Sequence, residues 1–307
     1  MAGGRSKLTR LRQQATYLAF RMASQIAPHV PRALAYRISD VAGDLFWVLN
    51  GPARRAVRAN LRHVLGRAPE PGLIRQAFRH GARNYYDTLI IPTLGPERLL
   101  SLVPVRGWEH LDQALGEGRG VIIVGVHLSS VALAGQVIAA RGHAVTSIAE
   151  RVEPPGLMQL LTRLRSGGGV RVLPQGSDTI RELLAALRRN EIVGLVADRD
   201  ITGTGVTARF FDAETQLPAG GALLAIRTGA PLLSAVAVRT ADDRFEALID
   251  PPIEVERGAD RSETVRQTTR RVAERFERHI ASHPEQWTVY QPVWPRSDRR
   301  TGRTDSR

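Results

Sequence analysis

Apolar residues fall along this chain in two rhythms, and the change between them comes near Pro104. From Ala15 to Asn50 they recur at helical spacing, as Leu18, Met22 and Ile26 and then as Leu34, Ile38, Leu45, Phe46, Trp47 and Leu49. Pro28 and Pro31 break that pattern into two helices. Residues 53–91 read as two more. Beyond Pro104, runs rich in Val and Ile at 121–126, 144–149, 170–173, 192–197, 232–238 and 244–249 alternate with helical stretches. Those stretches are 131–141, 155–165, 178–189, 219–229 and 262–282. Strands that alternate with helices pair in parallel and are buried on both faces, which is why they read as continuous apolar runs. The pattern predicts one α/β domain over 15–295, with a mostly parallel central sheet flanked by helices. Residues 15–100 form its N-terminal helical cap and 101–295 its α/β core. Residues 1–14 are expected to be a flexible start, and the charged residues 296–307 a disordered basic tail.

Composition narrows the partners. The sequence has no cysteine, which excludes disulfides and thiolate metal sites, and its formal net charge is +13. Lys7 is the only lysine; the rest of the positive charge is arginine, which suits bidentate phosphate binding. Such a balance points to a nucleic acid, an anionic membrane or a phosphorylated substrate. No aromatic residues interleave on a basic strand face, so nucleic acid is not the expected partner. No run of about 18 uncharged apolar residues occurs, so if the protein meets a membrane it lies on the surface. Arg21, Arg32 and Arg37 among the aromatic and apolar residues of 15–50 fit a helix in a bilayer interface, or equally a helix pair packed on its own domain.

Candidate chemistry sits at strand ends, where open α/β sheets bind ligands. His127 follows the first Val/Ile run, and a histidine there can act as a general base. Ser129 and Ser130 stand where they can cap the next helix. Asp198-Arg199-Asp200 follows the run at 192–197, and Glu150 follows the run at 144–149. Arg163 and Arg165, beside Gly167-Gly168-Gly169, could receive a phosphate. His279 and His283 have the i, i+4 spacing of helical metal ligands but lack the glutamate of the zinc-protease pattern, and no metal is expected.

Several segments, in this order and spacing, resemble the lysophospholipid acyltransferase superfamily. They are Asn60-Leu61-Arg62, Gly107-Trp108-Glu109-His110-Leu111, His127-Leu128, Asp198-Arg199-Asp200, Leu217-Pro218-Ala219-Gly220, Arg227-Thr228-Gly229-Ala230-Pro231 and His283-Pro284-Glu285-Gln286-Trp287. The similarity is to the lipid A biosynthesis and phosphatidylinositol mannoside acyltransferase branch. It implies a glycerol-3-phosphate acyltransferase-like fold and transfer of a fatty acyl group from acyl-CoA or acyl carrier protein to a glycolipid or phospholipid hydroxyl. It implies no cofactor, and a peripheral place on the cytoplasmic face of the bacterial plasma membrane, with the anionic surface as partner.

By the same resemblance His127 and Asp198 are catalytic, and Glu150, Arg165, Arg199 and Asp200 bind substrate. The chain departs from the family signature of a histidine, four residues and an acid, because Ala132 stands at the acid's place. Loss of the orienting acid in a comparable hydrolase triad costs roughly 10⁴-fold in turnover. Three outcomes remain open on the sequence: a slow enzyme, a carboxylate recruited from positions 150, 198 or 200, or a silent relative that binds lipid or acyl thioester without turnover.

Overall fold

The computed structural model describes residues 2–176, 178–256 and 260–294, with side chains from residue 9 onward. Helices α1 (Ala2–Ile26) and α2 (Arg32–Leu49) are joined by a short 3-10 turn over Ala27–His29. Then come α3 (Gly51–Leu65), α4 (Pro71–Ile90) and the short α5 (Pro96–Leu102). The expected flexible start is instead part of α1, which runs from Ala2 with no proline before Pro28 to stop it. The expected basic tail, 296–307, lies outside the described residues.

The core follows as β1 (Val105–Arg106), α6 (Trp108–Gly116), β2 (Val121–Gly125), α7 (Val131–Ala140), β3 (Val145–Ala149) and α8 (Pro155–Arg165). It continues with β4 (Val170–Pro174), α9 (Thr179–Arg188), β5 (Ile192–Val196), β6 (Val206–Phe210), β7 (Ala213–Leu217) and α10 (Gly220–Thr228). Last are β8 (Leu232–Arg239), β9 (Phe245–Ile249) and α11 (Arg261–Ser282). The main sheet has the order β1-β9-β8-β2-β5-β3-β4, and every pairing is parallel except β8 with β9. β6 and β7 form a separate antiparallel hairpin.

Strand β2 shows why the apolar runs are continuous. Ile122 and Val124 point to one side, where they join Leu183, Leu187, Leu224, Val272 and Phe276. Val121 and Ile123 point to the other, with Leu99, Leu111, Leu133 and Val137. Both faces are covered by helices, so each position needs an apolar side chain.

The helical cap is fastened by charge as well as packing. Asp44 on α2 receives Nε and Nη2 of both Arg75 and Arg79 on α4, and these guanidinium groups hold its carboxyl well below the usual range. Asp40 takes a similar fork from Arg83 at 2.7 Å. Gly43 lets the two helices meet, since a Cβ there would lie 2.7 Å from the Arg79 Cα. Arg239 on β8 reaches the cap through a buried ion pair with Asp87 at 2.5 Å, both side chains only 1% exposed. Tyr36 donates to the other Asp87 oxygen at 2.9 Å.

Candidate active site

Parallel register decides what meets at the sheet's C-terminal edge. Gly125 of β2 pairs with Val196 of β5, so the residues two places beyond each, His127 and Asp198, emerge side by side. His127 Nδ1 lies 2.7 Å from Asp198 Oδ1, and the His127 main-chain N–H donates to Asp198 Oδ2 at 3.0 Å. The Trp287 indole N–H donates to the same Oδ2 at 2.8 Å. The Asp198 side chain is 0% exposed and the His127 side chain 33%. Burial pushes the Asp198 carboxyl upward, but the charge and hydrogen bonds of His127 and the Trp287 indole outweigh it, and the net shift is downward. Asp198 is therefore an acceptor, Nδ1 of His127 is the donor, and Nε2 is left as the basic nitrogen.

The chain around His127 is held from the C-terminal side. Thr288 N–H donates to the His127 carbonyl at 2.9 Å and Ser129 N–H donates to the Gln286 carbonyl at 3.0 Å, with a β-bridge between Leu128 and Trp287. Ser129 sits at φ 51°. Ser130 occupies the N-cap of α7 but makes no side-chain cap bond, a correction to the capping role expected of these serines. Both hydroxyls are buried and unpartnered among the described residues.

The other expected site residues divide. Glu150, just past β3, accepts from Arg199 at 2.6 Å, so these two join each other across the ends of β3 and β5. Beside them an open cleft is lined by Glu150, Arg151, Gln175, Gly176 and Ile201. Asp200, expected to bind substrate, instead ties its own turn: its oxygens accept from the main-chain N–H groups of Thr202, Gly203 and Gly205 and from the Thr202 hydroxyl. An aspartate before a glycine-rich turn satisfies local donors first. Arg165 ends α8, where its carbonyl accepts from Gln136 at 2.8 Å. Its guanidinium has no ion-pair partner among the described residues, and burial pulls its pKa down against a smaller opposing effect of Tyr85. Ala132 packs against the core on the α7 side of the sheet. His279, one of the two spaced histidines, is engaged by Asp250 at 2.8 Å.

A buried carboxylate paired with one imidazole nitrogen at a parallel sheet edge is an arrangement that can serve general-base chemistry. The sequence profile of the bacterial lipid A biosynthesis acyltransferases matches residues 2–296, and the chain belongs to that acyltransferase family. Among similar proteins, a phosphatidylinositol mannoside acyltransferase of Mycobacterium tuberculosis (strain ATCC 25618 / H37Rv) is 32% identical over 304 residues, covering 94% of this chain and 91% of its own. That of Mycolicibacterium smegmatis is 31% identical over 287 residues, covering 92% of each chain. A lipid A biosynthesis palmitoleoyltransferase of Escherichia coli is 29% identical over 155 residues, 49% of each chain.

Sequence reasoning missed the part played by Trp287. Its segment, His283 to Trp287, was visible only as a family resemblance, and nothing in that string of residues says that the indole reaches a carboxylate 89 positions away.

Proposed function

We propose that this protein transfers a fatty acyl group from an acyl thioester to a hydroxyl of a phosphate-bearing glycolipid at a membrane surface. The carrying observation is the 2.7 Å contact of His127 with the buried Asp198, a carboxylate in the orienting role that Ala132 cannot fill. Nε2 of His127 takes the proton of the acceptor hydroxyl as its oxygen attacks the thioester carbonyl. The tetrahedral intermediate collapses, the C–S bond breaks, and the thiolate leaves with the proton returned by the imidazolium. Asp198 stabilises that imidazolium and keeps Nε2 aimed. The half-buried Arg165, without an ion-pair partner among the described residues, is suited to an anionic group of the substrate, and the cleft by Glu150 and Arg199 offers partners for sugar hydroxyls.

The cap supports the membrane setting. Leu11, Leu18, Met22 and Ile26 make an exposed stripe along α1, and Leu34, Ile38, Val41, Leu45 and Leu49 make another along α2. Exposed Arg10, Arg12, Arg21 and Arg37 border them. Neither helix, nor any other described one, is long and apolar enough to cross a membrane. Apolar stripes edged with arginine suit the headgroup–acyl boundary of anionic lipid.

The test is acyl transfer from palmitoyl-CoA to phosphatidylinositol mannoside, the acceptor named for two of the relatives, and to lipid extract of the native host, read by mass spectrometry. A new acyl ester that depends on His127 supports the reading. Thioester binding without any transfer to either acceptor replaces it with the silent relative. Vesicle flotation that needs anionic lipid and weakens with salt supports the surface role; no binding to any vesicle removes it.

A further inference from the structure

We propose that Trp287 is a positioning residue, whose indole N–H is what allows Asp198 to stand in for the acid absent at position 132; this presupposes His127 as the base. The three hydrogen bonds that reach Asp198 are unequal in origin. Two come from His127 itself, through Nδ1 and the main-chain N–H. The third, from Trp287 Nε1, is, among the described residues, the one bond that ties the carboxylate to anything other than the residue it must orient.

An aspartate just past a five-residue strand can turn about its side-chain bonds. Without the indole, Oδ2 is held only by the His127 main-chain N–H, and the carboxylate gains freedom to tilt about that one bond and carry the imidazole, and the aim of Nε2, with it. The indole removes that freedom because it is itself fixed. Trp287 is 1% exposed and wedged edge-on against Phe210 and Trp294, with ring centroids 6.2 Å away in each case. Its neighbour Gln286 is pinned to β8, accepting from Arg239 N–H and donating to the Arg239 carbonyl, both at 2.8 Å. The flanking main chain bonds the His127 loop on both sides, so indole, carboxylate and imidazole share one frame.

The indole also acts on charge. A donor aimed at Oδ2 in a fully buried place favours the ionised carboxylate, and is among the groups that hold Asp198 low. Without it the carboxylate becomes harder to ionise. It then protonates at a higher pH, and as pH falls the imidazole loses its ionised partner sooner.

Trp287→Phe keeps an aromatic ring and removes the N–H. The expected result with palmitoyl-CoA and phosphatidylinositol mannoside is a roughly tenfold fall in kcat, the scale of one hydrogen bond to a charged group. KM for both substrates should stay within about twofold of wild type, since the buried indole does not touch them, and the acidic limb of the kcat–pH profile should move to higher pH. A merely structural tryptophan would lower thermal stability without moving that limb. Should Trp287→Phe fold poorly, β-(3-benzothienyl)alanine at position 287 keeps the indole's shape and replaces N–H by sulfur; the same fall and the same pH shift are expected. Wild-type kcat and an unmoved acidic limb in either folded variant overturn the role of the indole. His127→Ala and Asp198→Asn in the same assay separate the causes. If both keep wild-type activity, the base assignment fails and this role falls with it. If both are inactive while the Trp287 variants match wild type, only the indole's role is lost.

Discussion

Among the described residues three histidines contact aspartates: His63 pairs with the exposed Asp212, and the two pairs whose carboxylates are enclosed, nearly equal in length, are set apart by their surroundings. His127 and Asp198 are 2.7 Å apart, with the carboxylate sealed and the imidazole one-third exposed. His279 and Asp250 are 2.8 Å apart, with side-chain exposures of 12% and 9%. Asp250 follows β9, which runs antiparallel to its neighbour and so ends toward the opposite edge of the sheet. The ring of His279 spends its Nε2 on the carboxylate, whereas the ring of His127 spends Nδ1 and keeps Nε2. Pairing alone does not make a base. What matters is which nitrogen remains, and whether a substrate can reach it.

The comparison can be broken most forcefully at the imidazoles. His127→Ala should lower acyl transfer by about 10³- to 10⁴-fold while leaving the thermal transition near wild type. His279→Ala should leave turnover within about threefold but cost about 1–3 kcal/mol of stability, because Asp250 loses its partner in a mostly enclosed place. Equal losses of activity in the two variants would erase the distinction. The carboxylates sharpen it next. Asp198→Asn keeps the shape but not the charge, and should cost roughly 10³- to 10⁴-fold in turnover. Asp250→Asn should appear in denaturant midpoints and leave kinetics unchanged.

Another histidine, His80, has no carboxylate in hydrogen-bond contact among the described residues. His80 lies in α4, largely enclosed, its Nδ1 unpartnered, with Arg239 and Arg83 adding positive charge and Asp40 opposing them. Burial first, then those arginines, push its pKa down to about 4. The unfolded chain therefore takes up a proton near pH 6.5 that the folded chain refuses until about pH 4. Stability should be full above pH 6.5 and fall by about 2–3 kcal/mol as pH drops toward 4. Urea midpoints measured across that window should lose this part of their slope in His80→Leu. The smallest effect is expected at Ala132→Asp. With Nδ1 already taken by Asp198, a new acid at 132 should change kcat by less than about threefold. A tenfold gain would show that Asp198 is not the working partner.

Much of this was legible in the sequence, and the parts that were not share a cause. The Val/Ile runs located β2, β3, β4, β5, β8 and β9 to within a residue or two, because a sheet covered on both faces imposes an unmistakable composition. The β6–β7 hairpin escaped notice. Its strands carry Thr207, Arg209, Glu214 and Gln216 on an exposed face, and its turn places Phe211 at φ 54° with none of the usual Asn-Gly or Gly signal. The helix α6 was passed over as part of a resemblance motif, Gly107 to Leu111, rather than read by period. At the site, strand-end position singled out His127, Glu150 and Asp198, but not which acid the histidine would use. That choice depends on β2 lying beside β5 rather than β3, a fact of sheet order. The partners of Asp200 escape for a different reason: they are main-chain donors of Thr202, Gly203 and Gly205, which exist only once the turn is built.

The strap over residues 284–293 has a further consequence, for the order in which the protein is made. Asn60 donates to the carbonyls of Val289 and Gln291 and accepts from Val293 N–H, so a helix synthesised early waits for a segment synthesised late. The sheet, both strand ends and the helices around them leave the ribosome before Trp287 does. A nascent chain can thus collapse around its apolar strands while the His127 loop still lacks the main-chain bonds of Gln286 and Thr288. The bonds that hold the His127 loop form only after the sheet and the helices around it have been made.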